Sequence, residues 1–438
     1  MDVILAQKRV TFSLQNIRNS QLAFLLLYCN VIFTMPNHFL TNATSLSHCP
    51  KYYQNNRFVL FLWVLITLIF VIDSWATHRY NNYLIFENTF RNLLQQKSLY
   101  AWYPAYHEDA NHYGPIFSVL IAPFALMHNW IGLLFWNLFN CFLLFKAIQT
   151  LPLSEDKKVI IGYIAIPCLI ESMLNQQFNA GAGALMILSY TQINKGGGIW
   201  SALCIVLGTF IKLYGIVGLA FFFFAKKKPV FMLWLIMWSI VIFLLPMLFA
   251  SPDFVAQSYI DWKNSLIGKN MINVSGGEDI SIMGFFRQLF DIPKVSNLLF
   301  ITLGTLLFML PFLYITYFSK NKFQLMILSS VLLFPVLFST GAEDCTFIIS
   351  ITGVGIWYVN ENNKVLKNVL LPILLFITCN FPLLLFPTFA KAHHLSLSII
   401  SFPYFLVWLR VINIAIKGKL VYEEETGPEL VTALSINS

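Results

Sequence analysis

The chain has 438 residues, of which 58% are hydrophobic and only 11% charged, against about 45–50% and 25% in soluble globular domains. That balance excludes a soluble globular protein. The excess of Phe, Leu and Ile comes in long runs, without the weak dyad alternation of an outer-membrane barrel, so the expected fold class is an all-α polytopic membrane protein. The +8 formal charge lies in short Lys/Arg clusters that read as topology signals, not as a nucleic-acid surface. Seven cysteines scattered mostly through apolar runs imply neither a disulfide framework nor a metal cluster.

Taken in order, residues 1–56 read as an N-terminal extension. Their apolar run 21–35 is short and interrupted by Asn30, and no signal-peptide cleavage site follows it. An interfacial helix or an upstream start codon both account for it. The polytopic domain is expected over 57–416 and a cytoplasmic tail over 417–438. Apolar runs at 58–72, 114–127, 130–148, 159–174, 180–193, 199–225, 230–250, 297–317, 323–339, 346–359, 365–388 and 395–416 give about twelve crossings. Lys226, Lys227 and Lys228 place the loop after 199–225 in the cytoplasm, and counting back puts the segment after Asp73 outside. Lys320, Lys322, Lys364, Lys367, Lys417 and Lys419 then fall inside. Lys157 and Lys158 conflict with this count, since it leaves them outside, although Glu155 and Asp156 precede them.

The polar, aromatic-rich stretch 73–114 reads as the functional face. Asp73 follows directly on the apolar run 58–72, where hydrocarbon gives way to headgroup. Tyr83, Phe86, Phe90, Leu93 and Leu94 recur at helical spacing, with Glu87, Asn88, Arg91, Asn92 and Gln95 on the other side, which predicts an amphipathic helix lying in the membrane interface. Tyr100, Trp102, Tyr103, Tyr106, His107, Glu108, Asp109, His112 and Tyr113 follow. An interfacial aromatic belt explains the rings but not the accompanying carboxylates and histidines.

Lys212 reads as an ammonium midway along 199–225. Such a charge costs about 2.5–3.5 kcal/mol on insertion scales, so it calls for a partner: Glu171 as a structural pair, or a phosphate or pyranose hydroxyl as ligand. Glu171, Asn175, Gln176, Gln177 and Asn179 crowd the break between two runs, where Gly181 and Gly183 permit close backbone approach. Glu343 and Asp344 either favour a helix N-terminus or line an external cavity. In the expected loop 251–296, Trp262 offers an indole for stacking on a sugar. An external carboxylate, a basic group within the bilayer and aromatic loops together suit sugar transfer from a lipid phosphate. That reaction needs a general base, a stabilised leaving phosphate and a groove for the lipid tail. A transporter or flippase of lipid-linked saccharide, and a structural membrane subunit, are the rival readings.

The order of Asp73, HYGPIF (112–117), APF (122–124), QFN (177–179), FIKLYGIVGL (210–219) and AEDCT (342–346) resembles glycosyltransferase family 87. FIKLYG is its most distinctive piece. The resemblance spans 58–357 and implies a GT-C type fold and a metal-independent, inverting transferase dependent on a polyprenyl-phosphate sugar such as the mannosyl lipid. It puts the catalytic carboxylate in the first external loop, at Asp73. Phe178, where a small residue is usual, and Asp344-Cys345 within the acidic motif depart from the pattern. The expected site is therefore Asp73 as catalytic base, with Lys212, Arg79, His78, Tyr214, Gln177, Asn179, Glu343, Asp344 and Trp262 binding substrate. No metal ligand or cofactor is expected. The expected partners are a polyprenyl-phosphate sugar donor, a glycan or glycolipid acceptor and membrane lipid, at the outer face of a bacterial plasma membrane.

Overall fold

The computed structural model describes residues 51–379 and 397–417, apart from positions 52, 194, 196, 197 and 277. The extension 1–56 thus lies almost wholly outside the described residues, as do the tail beyond Lys417 and parts of the 365–388 and 395–416 runs. All regular structure among the described residues is helical. Among the described residues four helices are long and apolar enough to cross a membrane: α1 (Asn56–Ala76), α4 (Asn129–Gln149), α9 (Lys228–Leu244, prolonged by a 3-10 turn to Leu248) and the stretch Ser398–Ile416 that contains α16 (Ser401–Ile416). A fifth candidate is the pair α5 (Glu155–Ile164) and α6 (Ile166–Asn175), bent by 53°. Pro167 near the start of α6 cannot donate back into α5, which accounts for the bend.

Two of the apolar runs are built differently from the single crossings expected of them. Within 114–127 only α3 (Ile116–Ala125) is helical, and its 10 residues cover about 15 Å at 1.5 Å per residue, half a hydrocarbon layer. The run 199–225 folds back on itself. Helix α8 (Ile199–Lys212) stops because Leu213 adopts φ 52°, and a 3-10 helix (Tyr214–Phe224) returns antiparallel to it. Gly215 lies against Gly208, and Gly218 against Ile205. A Cβ on Gly215 would stand 2.4 Å from the Thr209 nitrogen and 2.7 Å from the Ile205 carbonyl oxygen, so only glycine lets the two legs close. Lys212 therefore occupies the tip of a hairpin, not the middle of a crossing.

Side-chain hydrogen bonds sort the helix ends into two groups. At one end Asn56 of α1 bonds Glu155 of α5 at 2.6 Å and Gln149 of α4 at 3.0 Å. Thr150 meets Thr191, the last residue of α7 (Asn179–Thr191), at 3.0 Å. Lys157 reaches Asn360 at the end of α14 (Phe347–Asn360), and Lys322 at the start of α13 (Asn321–Leu337) reaches Asn362. Phe224, next to Lys226, packs on Phe318 and Phe323. Lys157, Lys158, Lys226–Lys228, Lys320, Lys322 and Lys364 thus share one end, and the conflict in the sequence count disappears. The count was wrong at 114–127, which removes a crossing, and at 199–225, which adds a leg.

The opposite end carries the polar segments. Helix α2 (Asn81–Leu94) buries Tyr83, Phe86, Phe90 and Leu93 as its periodicity predicts. Leu94 is instead exposed, while Glu87 and Asn92 are buried on the nominally polar side; Glu87 is held there by an ion pair with Arg91. The expected loop 251–296 is largely a 25-residue helix, α10 (Pro252–Gly276), followed by α11 (Ile282–Leu289). Ser258, Trp262, Ser265, Lys269 and Asn273 form a stripe at helical spacing along α10. Trp262, Ser265 and Asn273 of this stripe bond the His112, Asn111 and Thr340 carbonyls. Helices α12 (Asn297–Met309) and α15 (Lys364–Thr378) are the remaining ones among the described residues. Exposed Met232, Leu233, Ile236 and Ile240 on α9 and Leu298, Leu299, Leu303 and Leu306 on α12 form apolar surface of the kind that faces lipid.

Candidate functional site

The site is built where the hairpin tip meets the start of α7. Gln176 closes α6 in the left-handed region, φ 51°, and its carbonyl accepts the Trp136 indole N–H at 2.6 Å. This sharp reversal sends Gln177 and Asn179 to one side. Phe178 goes to the other, stacked on Trp136 with centroids 5.7 Å apart. The bulk that departs from the family pattern is thereby absorbed in the core.

Lys212 Nζ donates to Asn179 Oδ1 at 2.5 Å and to Gln177 Oε1 at 3.2 Å, and lies 5.3 Å from the ring centroids of both Tyr113 and Tyr214. An ammonium has three N–H donors, so these two acceptors leave one for a ligand. Its position at the C-terminus of α8 adds the favourable end of a helix dipole. The expected pairing with Glu171 does not form, because Lys212 is engaged by amides; Glu171 instead lies close enough to Asp344 to feel its charge. Gln177 Nε2 donates to Glu343 Oε2 at 2.5 Å, and Lys269 of α10 sits 3.7 Å from the same carboxylate. Asn179 Nδ2 bonds Cys345 Sγ at 3.2 Å, and Tyr214 donates to Ser339 Oγ at 3.2 Å.

The HYG turn closes this cluster from the side. Gly114 N–H bonds the Ile211 carbonyl at 2.9 Å, and a Cβ there would stand 1.9 Å from the Phe210 oxygen. Tyr113 lies between Gln177 and the Phe178 N–H, bonding both. His112 Nδ1 faces Ser265 Oγ at 2.7 Å; burial first, and then Lys269, hold its imidazole below the usual histidine range, in the neutral form. Asp344 is pushed up to about 6 by burial and by the neighbouring Glu343.

Of the expected site residues, the structure gathers Lys212, Gln177, Asn179, Glu343 and Tyr214 into one contact network, with Asp344 beside it. Trp262 serves differently from the expected sugar platform: it is buried, with its indole N–H on the His112 carbonyl, where it seats the HYG turn. Asp73 lies within the last turn of α1, which runs on to Ala76, rather than just beyond the helix. It is half-buried, and its neighbour Ser74 accepts from Gln176 Nε2 at 3.4 Å. His78 and Arg79 are exposed on the turn that follows. Trp75 stacked on Tyr80 closes that turn, which is tied to α6 through Gln176 and the Arg79 carbonyl. Lys269 and Ser265 were not singled out by sequence, and Tyr113 was named only among the rings of the 73–114 stretch and within HYGPIF. The 4-3-4-4 spacing of the α10 stripe was the signal that could have found Lys269 and Ser265.

A family model described as glycosyltransferase family 87 matches residues 111–340. That span holds the HYG turn, the QFN triplet, the Lys212 hairpin and α10, beginning after Asp73 and ending before Glu343. No curated protein matches the chain.

Proposed function

The chain belongs to glycosyltransferase family 87, a membrane glycosyltransferase, and from that premise we propose that it moves a hexose, with mannose the expected sugar, from a polyprenyl-phosphate donor to a glycan or glycolipid acceptor. The observation that carries this reading is the convergence of HYG, QFN, KLYG and AEDC on a single lysine, Lys212. A cation with an unspent N–H, fixed by amides and flanked by two aromatic rings, is suited to a phosphate brought in by a membrane lipid.

In the proposed reaction the acceptor hydroxyl gives its proton to Asp73 and its oxygen attacks the anomeric carbon. The bond from that carbon to the phosphate oxygen breaks on the opposite face, which inverts the configuration. The electron pair leaves with the phosphate, whose charge Lys212 and Arg79 offset. Asp73 suits the base because its helix turn is tied through Ser74 and Gln176 to the segment bearing Gln177 and Asn179. With α3 not counted and the hairpin counted as two legs, about twelve legs of chain among the described residues run between the two ends. The lysine-rich end is then cytoplasmic and the Lys212 end external, which corresponds to the outer face of a bacterial plasma membrane.

The test is transfer of radiolabelled sugar from a polyprenyl-phosphate hexose by the purified protein. Transfer to an acceptor supports the reading. Transmembrane movement of the labelled lipid without transfer would replace it with the flippase reading.

A further inference from the structure

A second polar site lies on the far side of α2 from Lys212. The buried face of α2 sets Phe86 edge-on to Tyr113 and Phe117, at 5.1 and 4.8 Å between centroids, and Tyr113 in turn bonds Gln177. The other face, the connection after it and the start of α4 enclose a groove of about 460 Å³. That volume is within the range of small-molecule sites, about 300–1,000 Å³. Glu87, Asn88, Arg91, Asn92, Lys97, Tyr103 and Tyr106 are among its lining residues.

Two features describe the ligand. First, the lining is rich in planar hydrogen-bonding groups of both kinds, amides, a carboxylate and a guanidinium, beside tyrosine rings, of which Tyr106 is 66% exposed. Adjacent sugar hydroxyls each donate and accept, and planar paired groups match them, while a ring covers the C–H face of a pyranose. Arg91 is bound to Glu87, which leaves that pair without net charge, and the other cation on the lining, Lys97, is exposed to solvent, so neither offers an anion a desolvated partner. Second, the wall is fixed in advance. Asn88 Nδ2 meets His107 Nε2 at 3.1 Å, and His107 is buried edge-on to Tyr103 at 5.9 Å. A preset arrangement of this kind lowers the cost of ordering side chains when ligand binds.

We propose that this groove is a saccharide subsite, holding neutral sugar residues of an extended acceptor while another part of the same acceptor reaches the Lys212 centre. The assignment rests on the transferase reading above, and it implies an acceptor longer than one sugar. Neither the HYG, QFN, KLYG nor AEDC segment supplies a residue to the lining.

The experiment uses the full chain in lipid nanodiscs and saturation-transfer NMR with three neutral trisaccharides, mannotriose, maltotriose and cellotriose, and with inorganic phosphate. At least one trisaccharide should bind, and Tyr106→Ala and Asn88→Ala should each weaken it about tenfold or more. Tyr106 is exposed, so its replacement leaves packing intact; a melting curve for each variant checks this. In the transfer assay the same variants should raise KM for an oligosaccharide acceptor about tenfold with kcat unchanged. Absence of trisaccharide binding, binding indifferent to both variants, or phosphate binding lost on Arg91→Gln would each overturn the proposal. The binding assay needs no turnover: an inactive parent whose trisaccharide binding depends on Tyr106 defeats the transferase reading and leaves the saccharide site standing.

Discussion

Lys212 Nζ stands 2.5 Å from Asn179 Oδ1, joining the tip of one helical hairpin to the first residue of α7. Through this contact a charge that looked stranded in an apolar run becomes the centre of a hydrogen-bonded network at a helix terminus. The first expectation follows from it. Lys212→Met keeps length and apolarity, and Gln177 and Asn179 remain within 3.2 Å of one another to share a hydrogen bond. Protein yield should therefore hold, while affinity for a polyprenyl-phosphate sugar falls by the about 1.5–3 kcal/mol of one charge-assisted contact, roughly ten- to hundredfold. Native mass spectrometry of the lipid-loaded protein measures it. Undiminished donor loading would return Lys212 to a structural role.

Hairpin closure is a matter of space at Gly215. Gly215→Ala should cost about 1–3 kcal/mol as overpacking, lowering the melting temperature of the purified protein and with it donor loading, since Lys212 rides on the tip. A variant that melts with the parent would show that the two legs are not pressed together as described.

The placement of Lys157 separates two topologies. With both helix ends assigned by contact, single cysteines at Ala105 and Ser275 should react in sealed cells with a membrane-impermeant thiol reagent, and cysteines at Lys157 and Lys227 should not. Counting crossings from hydropathy alone puts Lys157 outside, so labelling there would restore that count and remove the lysine-rich end as a unit.

Asp344 gives stability a pH dependence of known sign. Its folded-state value of about 6 lies above the roughly 3.9 of an unfolded aspartate, so between these values the folded state binds more protons. Stability from this group therefore falls as pH rises through the window, and the loss is complete above about 6. Asp344→Asn removes the cost. The variant should melt above the parent at pH 7.5, and the gap should close toward pH 4. A gap independent of pH would mean that folding does not raise the Asp344 carboxyl above its unfolded value.

Much of this arrangement could be read from particular residues in the sequence. The apolar spacing of Tyr83, Phe86, Phe90 and Leu93 marked α2, and QFN, FIKLYG and AEDCT each stood out as polar intrusions in apolar sequence. Their meeting point could not be read, because composition does not say where an apolar run turns back. That depends on Leu213 adopting φ 52° and on the fit of Gly208 against Gly215, both set by tertiary packing. The same limit misplaced Trp262. An indole in a presumed loop looks available to a sugar, and only the helical stripe of α10 shows it turned inward onto the His112 carbonyl. Lys269 was missed because its partner Glu343 lies far away in sequence.

The central claim is sugar transfer with Asp73 as base, and it is tested most directly by measuring turnover of Asp73→Asn beside the parent with a radiolabelled polyprenyl-phosphate sugar. Asparagine matches aspartate in size but cannot take a proton at neutral pH, so loss of the base should lower turnover by about 10²–10⁴-fold. Yield and donor loading should stay near those of the parent. Glu108→Gln, Asp109→Asn and Glu343→Gln, assayed alongside, should each retain far more activity than Asp73→Asn. Near-normal turnover in Asp73→Asn, with the loss appearing in one of the other three, would contradict the assignment of Asp73; a parent that transfers no sugar from any such donor would contradict the transferase itself.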